Sequence, residues 1–343
     1  MLKDIRQLSL PEIATALKEM GEQAFRAKQI YEWIWQKSAR NFDEMTNLSL
    51  SLREKLKEHF AILPVEVYKE QISNDGTIKS AFRLHDNHLI EGVMIPTDDR
   101  ATACVSSQVG CSLTCKFCAT GYMKRERNLE PAEIYDQVVL IRQQAEKTLG
   151  RPLTNIVFMG MGEPLLNYQN VLKAIEKISS PEGLHMSPKR ITVSTAGIAK
   201  MIKKLGDDDV RFNLALSLHA ANDEKRNTIM PINEQNNIEV LVEALNYFYE
   251  KTGNKITFEY ILLNGVNDSL EDAKELVELC QRVPAKINII EYNKIQEAEF
   301  SKTDSKRRDT FVTFLERKGV TASVRKSRGK DIDAACGQLA NKG

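Results

Sequence analysis

The sequence predicts an α/β fold: a partial (β/α)6 TIM-like barrel, preceded by a small helical domain and a short β meander. Three observations predict it. Residues 1–62 carry apolar side chains at helical spacing. Residues 63–96 alternate and contain two tight-turn signals. From residue 97 onward, six strand-like runs alternate with helical stretches. A chain of 343 residues has room for two domains, or for one large barrel with an accessory piece. At 42% hydrophobic and 28% charged it can bury a sizeable core.

The helical domain, residues 1–62, rests on i,i+4 stripes: Ile30/Ile34, Tyr31/Trp35, and Leu48, Leu52 and Leu56. Trp33 and Trp35 read as core for a module of this size. In the meander, residues 63–96, the turns fall at Asn74-Asp75-Gly76 and Asp86-Asn87, and the run ends at Pro96. The barrel, residues 97–343, has strand-like runs at 102–109, 155–161, 190–196, 213–220, 255–263 and 286–293. Between them, Ile134, Val138, Ile141 and Ala145 share one helical face, as do Ile238, Leu241, Val242, Leu245 and Phe248, with Gly253 beyond the helix end. Ser269 to Asp272 reads as a capping box. Strand–helix repeats imply a parallel sheet whose functional residues lie at the C-terminal strand ends.

Net charge is +1, so no global electrostatic footprint of nucleic-acid binding exists. Local basic runs remain at Lys124–Arg127, Lys306–Arg308 and Arg325–Lys330. No apolar run approaches the roughly 18 residues of a membrane span, and the N-terminus lacks a signal-peptide core. The expectation is a cytoplasmic protein with no membrane partner. In that reducing setting, clustered cysteines more often bind metal or do redox chemistry than form disulfides.

Three of the six cysteines crowd into GCSLTCKFCATG: Cys111, Cys115 and Cys118. Iron–sulfur clusters are normally held by four thiolates, so three leave one iron open for another ligand. A structural zinc site needs a fourth Cys or His nearby, and neither Cys104 nor His185 completes a familiar zinc spacing. Cys280 falls on the apolar helical face of Leu270, Ala273 and Val277 and reads as a small buried hydrophobe.

The C-x3-C-x2-C spacing, with Phe117 before the last cysteine, matches the radical S-adenosylmethionine (SAM) superfamily. The whole chain resembles the RlmN/Cfr family of radical SAM RNA methyltransferases, through CVSSQVGCSLTCKFCATG (104–121), FMGMGEPLLN (158–167), NLALSLHA with MPIN (213–220 and 230–233), and GKDIDAACGQL (329–339). The resemblance implies a [4Fe–4S] cluster on Cys111, Cys115 and Cys118, with one open iron that chelates SAM. It implies a 5′-deoxyadenosyl radical and two SAM per turnover. Cys336 would be the methyl-carrying cysteine. Cys104 would resolve the enzyme–RNA adduct through a transient Cys104–Cys336 disulfide, a step that asks for an accessible thiolate. Glu91 would accept the proton from adenine C2.

The implied SAM contacts are Gly162, Glu163, Ser194, Ser217, Leu218, His219 and Asn293, most of them at strand ends. The implied partners are 23S rRNA, tRNA and an electron donor such as flavodoxin or ferredoxin. The helical N-terminal domain would grip RNA, and Lys124–Arg127 and Arg325–Lys330 would flank the active site where phosphates approach. Pro164 after Gly162-Glu163 looks like the members that methylate adenine C2. Members that methylate C8, and other radical SAM enzymes, remain open alternatives.

Overall fold

Residues 2–341 are described in the computed structural model. Three helices come first: α1 (Leu10–Glu19), α2 (Arg26–Trp35) and α3 (Leu50–His59). A capping box of Ser9 and Glu12 opens α1, and Ser49 caps α3, so orphan amide groups at both helix starts are satisfied by side chains. The apolar stripes face inward: Ile30, Ile34, Leu52 and Leu56 are buried. Trp35 is buried edge-on against Tyr135, ring centroids 5.0 Å apart. Trp33 is half-buried, with Lys37 over its ring.

A buried ionic clasp ties this region to the rest. The Arg6 guanidinium donates to both Asp4 and Asp136, at 2.9 and 2.8 Å, and to the Leu63 carbonyl. Asp136 also accepts the Val65 N–H. Asp136 lies in α4 (Pro131–Leu149), which packs on the sheet.

The meander consists of β1 (Glu66–Ile72), β2 (Ile78–Arg83) and β3 (Leu89–Pro96), antiparallel throughout. Its turns fall where the sequence predicts, with Gly76 and Asn87 at φ of 80° and 66°. β3 then pairs antiparallel with β4 (Ala101–Cys104). The meander is therefore the edge of the main sheet and not a separate layer.

From β4 onward every pairing is parallel: β5 (Asn155–Phe158), β6 (Ile191–Thr195), β7 (Asn213–Ser217), β8 (Ile256–Leu262), β9 (Ala285–Glu291) and β10 (Ala322–Arg325). The ten strands lie side by side in chain order, and β1 and β10 are free edges, so the barrel is open. Crossovers run through α4, α5 (Tyr168–Ser179), α6 (Ala199–Asp207), α7 (Asp223–Ile229) with α8 (Ile238–Thr252), α9 (Leu270–Arg282) and α10 (Ser305–Arg317). The Ser269–Asp272 capping box is present, and Gly253 ends α8 at φ 62°.

The sequence reading found six strands of the barrel; the seventh, β10, is short and half-exposed, and its charged end reads as surface. One continuous apolar core underlies the helices and the sheet. A smaller apolar cluster, including Phe117, Met230, Ile261 and Tyr292, supports the three-cysteine loop. Among the described residues no helix is long and apolar enough to cross a membrane.

Candidate active site

Parallel strands present their C-terminal ends on one side, where side chains converge. A cavity opens there, lined by a few polar groups among apolar ones, as ligand pockets are. Cys111, Cys115 and Cys118 line it together with Gly162, Glu163, Ser194, Ser217 and His219. The loop carrying the cysteines is folded by its own backbone bonds: Cys118 N–H to Cys115 O (3.2 Å) and Gly121 N–H to Cys118 O (2.9 Å). Lys116 N–H donates to Ile229 O at the end of α7.

Burial pushes the Cys111 thiol up to about 11 and raises Cys118. It pushes Cys115 further still, with the neighbouring Cys118 and Cys111 thiolates adding to the effect. Three such thiolates need a cation to coexist, and soft sulfur donors suit iron–sulfur chemistry. Among the described residues no three Cys, His, Asp or Glu side chains are grouped to hold a single metal ion. The donor set fits a cluster.

Gly160 and Gly162 let the strand-end loop close on its neighbours. A Cβ on Gly162, at φ 94°, would lie 2.5 Å from Gln108, and one on Gly160 would lie 2.8 Å from the Val105 backbone. Glu163 is buried and caps the turn after it, accepting Leu165 N–H at 3.0 Å and Ala196 N–H at 2.7 Å. Desolvation raises its carboxyl above the ordinary range. The Ser194 and Ser217 hydroxyls are 3.4 Å apart. His219 sits at φ 59°, accepts Ile261 N–H at Nδ1 (3.0 Å) and stands edge-on to Phe117. Burial, and then the charge of Arg226, bring it down to about 3, so the imidazole is neutral.

Leu218 turns its side chain into the core, and its backbone bonds Glu259 O and Arg226 Nε. Asn293 lies behind the Cys336 segment: its Nδ2 donates to Cys336 O at 3.3 Å, and its buried Oδ1 has no partner among the described residues.

Cys336 lies in the wall shared by this cavity and a second one, which Cys104 lines. Cys336 is exposed to these cavities while dense protein surrounds it, and burial pushes its thiol up to about 11. Cys104 is buried between β3 and β5; burial and then Cys336 push it up to about 12, with Arg325 offsetting part. Both are free thiols. In this arrangement the Cys104 side chain is buried at the wall of the second cavity, where the resemblance asks for an accessible thiolate.

The Cys336 segment is stitched down on both sides. Upstream, Gly329 N–H donates to Asp75 and Ser73 to Asp331. Downstream, Ala119 N–H donates to Gly337 O, and Thr120 to Leu339 O. Glu91 is buried and lines neither cavity. Its Oε2 accepts Ala340 N–H (2.9 Å) and Asn341 N–H (3.1 Å), while Lys79 Nζ stands 3.6 Å from Oε1.

One site residue escaped the sequence reading. Glu259 on β8 lines the main cavity, with Arg325 Nη1 at 3.2 Å. The signal was there: a carboxylate in the middle of an otherwise apolar buried strand. Arg325, in the basic run expected to flank the site, reaches Glu259 and lines the second cavity with its side chain half-exposed. Arg127 is likewise held by Asp86 and Glu133. Lys326 and Arg328 line the second cavity.

Comparison with known proteins agrees with this geometry. Residues 3–62 match the ribosomal RNA large subunit methyltransferase N-terminal domain, and residues 105–280 match the radical SAM superfamily. A probable dual-specificity RNA methyltransferase RlmN of Cytophaga hutchinsonii is 63% identical, covering 99% of this chain and 93% of the relative. A dual-specificity RNA methyltransferase RlmN of Myxococcus xanthus is 46% identical over 100% of this chain and 92% of its own. The crystal structure of a radical SAM methyltransferase from Sphaerobacter thermophilus superposes with a TM-score of 0.94 at 40% identity, covering 99% of this chain and 100% of that one. Matching in both its halves and along its whole length, the chain belongs to the radical SAM superfamily and, within it, to the RlmN family of RNA methyltransferases.

Proposed function

We propose that this protein methylates C2 of a specific adenosine in 23S rRNA and of the adenosine beside the tRNA anticodon. The observation that carries the reading is the position of Cys336, in the wall between the cavity of the three-cysteine loop and the cavity that Cys104 lines. When bound, a [4Fe–4S] cluster with one open iron and two molecules of SAM per turnover supply a methyl group and a primary carbon radical.

The chain's residues do the rest. Cys111, Cys115 and Cys118 hold the cluster. Glu163, Ser194, Ser217, His219 and Asn293 orient SAM, with Gly162 and the Leu218 backbone shaping their loops. The buried Oδ1 of Asn293 has an acceptor to offer. Neutral His219 can donate or accept a hydrogen bond but holds no charge. Cys336 gives up its thiol proton and carries the methyl group to the base.

Glu91 takes the proton that leaves C2, once Ala340 and Asn341 release its carboxylate. The adduct also gives up one electron, which restores the ring; the Cys104 thiolate then attacks the Cys336 sulfur, an S–S bond replaces the S–C bond, and the carbon takes the electron pair of the broken bond and a proton, leaving the methylated base free. The target base must leave its stack to reach this depth. The reducing cytoplasm, with flavodoxin or ferredoxin as electron donor, suits this chemistry.

The test is mass spectrometry of RNA after anaerobic incubation of reconstituted enzyme with reductant and methyl-labelled SAM. Wild type yields 2-methyladenosine; Cys336→Ala retains its iron and yields none. Formation of 8-methyladenosine overturns the choice of carbon. SAM cleavage by wild type without methylation of a competent RNA overturns the RNA reading.

A further inference from the structure

One buried charge has no part in the reaction as outlined. Arg226 of α7 has 0% exposure. A buried guanidinium is costly unless it is compensated. Arg6, also buried, has two carboxylates. Arg226 has neutral acceptors: Leu218 O from Nε (3.0 Å), Asn233 Oδ1 from Nη1 (2.6 Å), and Ala196 O and Ser217 O from Nη2 (2.6 and 3.2 Å). Among the described residues it forms no ion pair. Asp223 acts on it across a distance, behind Cys115 in strength, and accepts Asn233 Nδ2 at 2.8 Å.

The position of this charge suggests what balances it. Met230, which lines the main cavity, donates its N–H to Arg226 O. The adjoining Ile229 carbonyl holds Lys116 N–H, between Cys115 and Cys118. Burial pulls the guanidinium down to about 10, and the strongest opposing interaction is with Cys115. Three thiolates outweigh the positive charge of an iron–sulfide core, so the assembly is anionic and becomes more so on accepting an electron. Protein charge and hydrogen bonding near such a cluster set its reduction potential.

We infer that Arg226 is the fixed counter-charge of the cluster held by Cys111, Cys115 and Cys118, and that it eases the cluster's reduction. The inference rests on the cluster reading above. Arg226 is a positioning residue as well: it gathers the carbonyls ending β6 and β7, beside Ser194, Ser217 and His219. The electron comes from an external one-electron donor, and no bond in the protein forms or breaks.

The test is an anaerobic redox titration of the reconstituted protein, followed by electron paramagnetic resonance of the reduced cluster, with iron content measured in parallel. Arg226→Gln removes the charge at similar size, and its midpoint potential becomes more negative than that of wild type. Arg226→Lys keeps the charge but loses the fork, and its potential stays at the wild-type value. A loaded Arg226→Gln protein with an unmoved potential overturns the inference and leaves the cluster reading intact. Should Arg226→Gln not load iron, Arg226→Lys decides alone: an unmoved potential supports the counter-charge, and a shift to more negative values shows a strut whose geometry matters instead. Wild type that takes up no iron overturns both readings.

Discussion

Cysteine serves three ends in this chain, and environment separates them. Cys111, Cys115 and Cys118 line one cavity, Cys104 and Cys336 meet at another, and Cys280 stands apart. Burial alone pushes the Cys280 thiol up to about 12, so it is neutral at any ordinary pH. At pH 8 its thiolate fraction is on the order of a thousandfold below that of an unfolded cysteine. In native protein at pH 8, iodoacetamide therefore leaves Cys280 unmodified, whereas denatured protein is labelled there. Peptide mass spectrometry reads the difference, and equal labelling in both states refutes it.

The motif cysteines were legible in the sequence because their spacing is rare. Arg226 and Glu259 were not, since one charge in an apolar stretch looks ordinary until three-dimensional closure shows what it faces. The burial of Cys104 was equally hidden: it depends on β3, which pairs beside it.

Among the elements, the loop after β5 has little room for change. Gly162→Ala puts a Cβ into Gln108 at a backbone angle that L-residues rarely adopt. The loop carrying Glu163 must shift. The expected result is loss of SAM binding, with the unfolding midpoint little changed, checked by equilibrium dialysis and by denaturation.

The Arg6 clasp makes the opposite prediction, with stability at stake and not ligand binding. Arg6→Met strands two buried carboxylates, so it costs roughly 3–5 kcal/mol in chemical denaturation. A destabilisation below about 1 kcal/mol would show that the clasp is ornamental. The clasp joins Asp4 to Asp136, and no local pattern reveals such a pairing. The meander, by contrast, was written in its turns, where Gly76 and Asn87 supply the positive φ. β10 was missed because four half-exposed residues give no clear alternation.

Over the whole molecule, the near-zero net charge conceals a sorting of basic residues. Arg127 and Arg325 are held by carboxylates at 2.8 and 3.2 Å, while Lys326 and Arg328 line the cavity beside Cys336, Arg328 with Asp75 no nearer than 3.9 Å. Replacing Lys326 and Arg328 with alanine weakens RNA binding and flattens the slope of log K against log salt by roughly 0.7–0.9 for each phosphate left unneutralised. Arg127→Ala leaves that slope unchanged and lowers stability. Binding measured across a salt series separates the two, and a slope unmoved by the double substitution refutes the assignment.

The strand order of the sheet has a consequence in time. Each strand pairs with the one synthesised just before it, so the sheet can be laid down from one edge as the chain leaves the ribosome. The segment bearing Cys336 obeys a different clock. Gly329 bonds Asp75 across 254 positions, and the bonds to Ala119 and Glu91 also reach back to residues made long before. Of the six cysteines, Cys336 is thus the last to be set in place, on a scaffold whose strands all precede it in synthesis. A chain halted just after β10 carries Cys104 and the three-cysteine loop but not the thiol that stands in the wall between the two cavities.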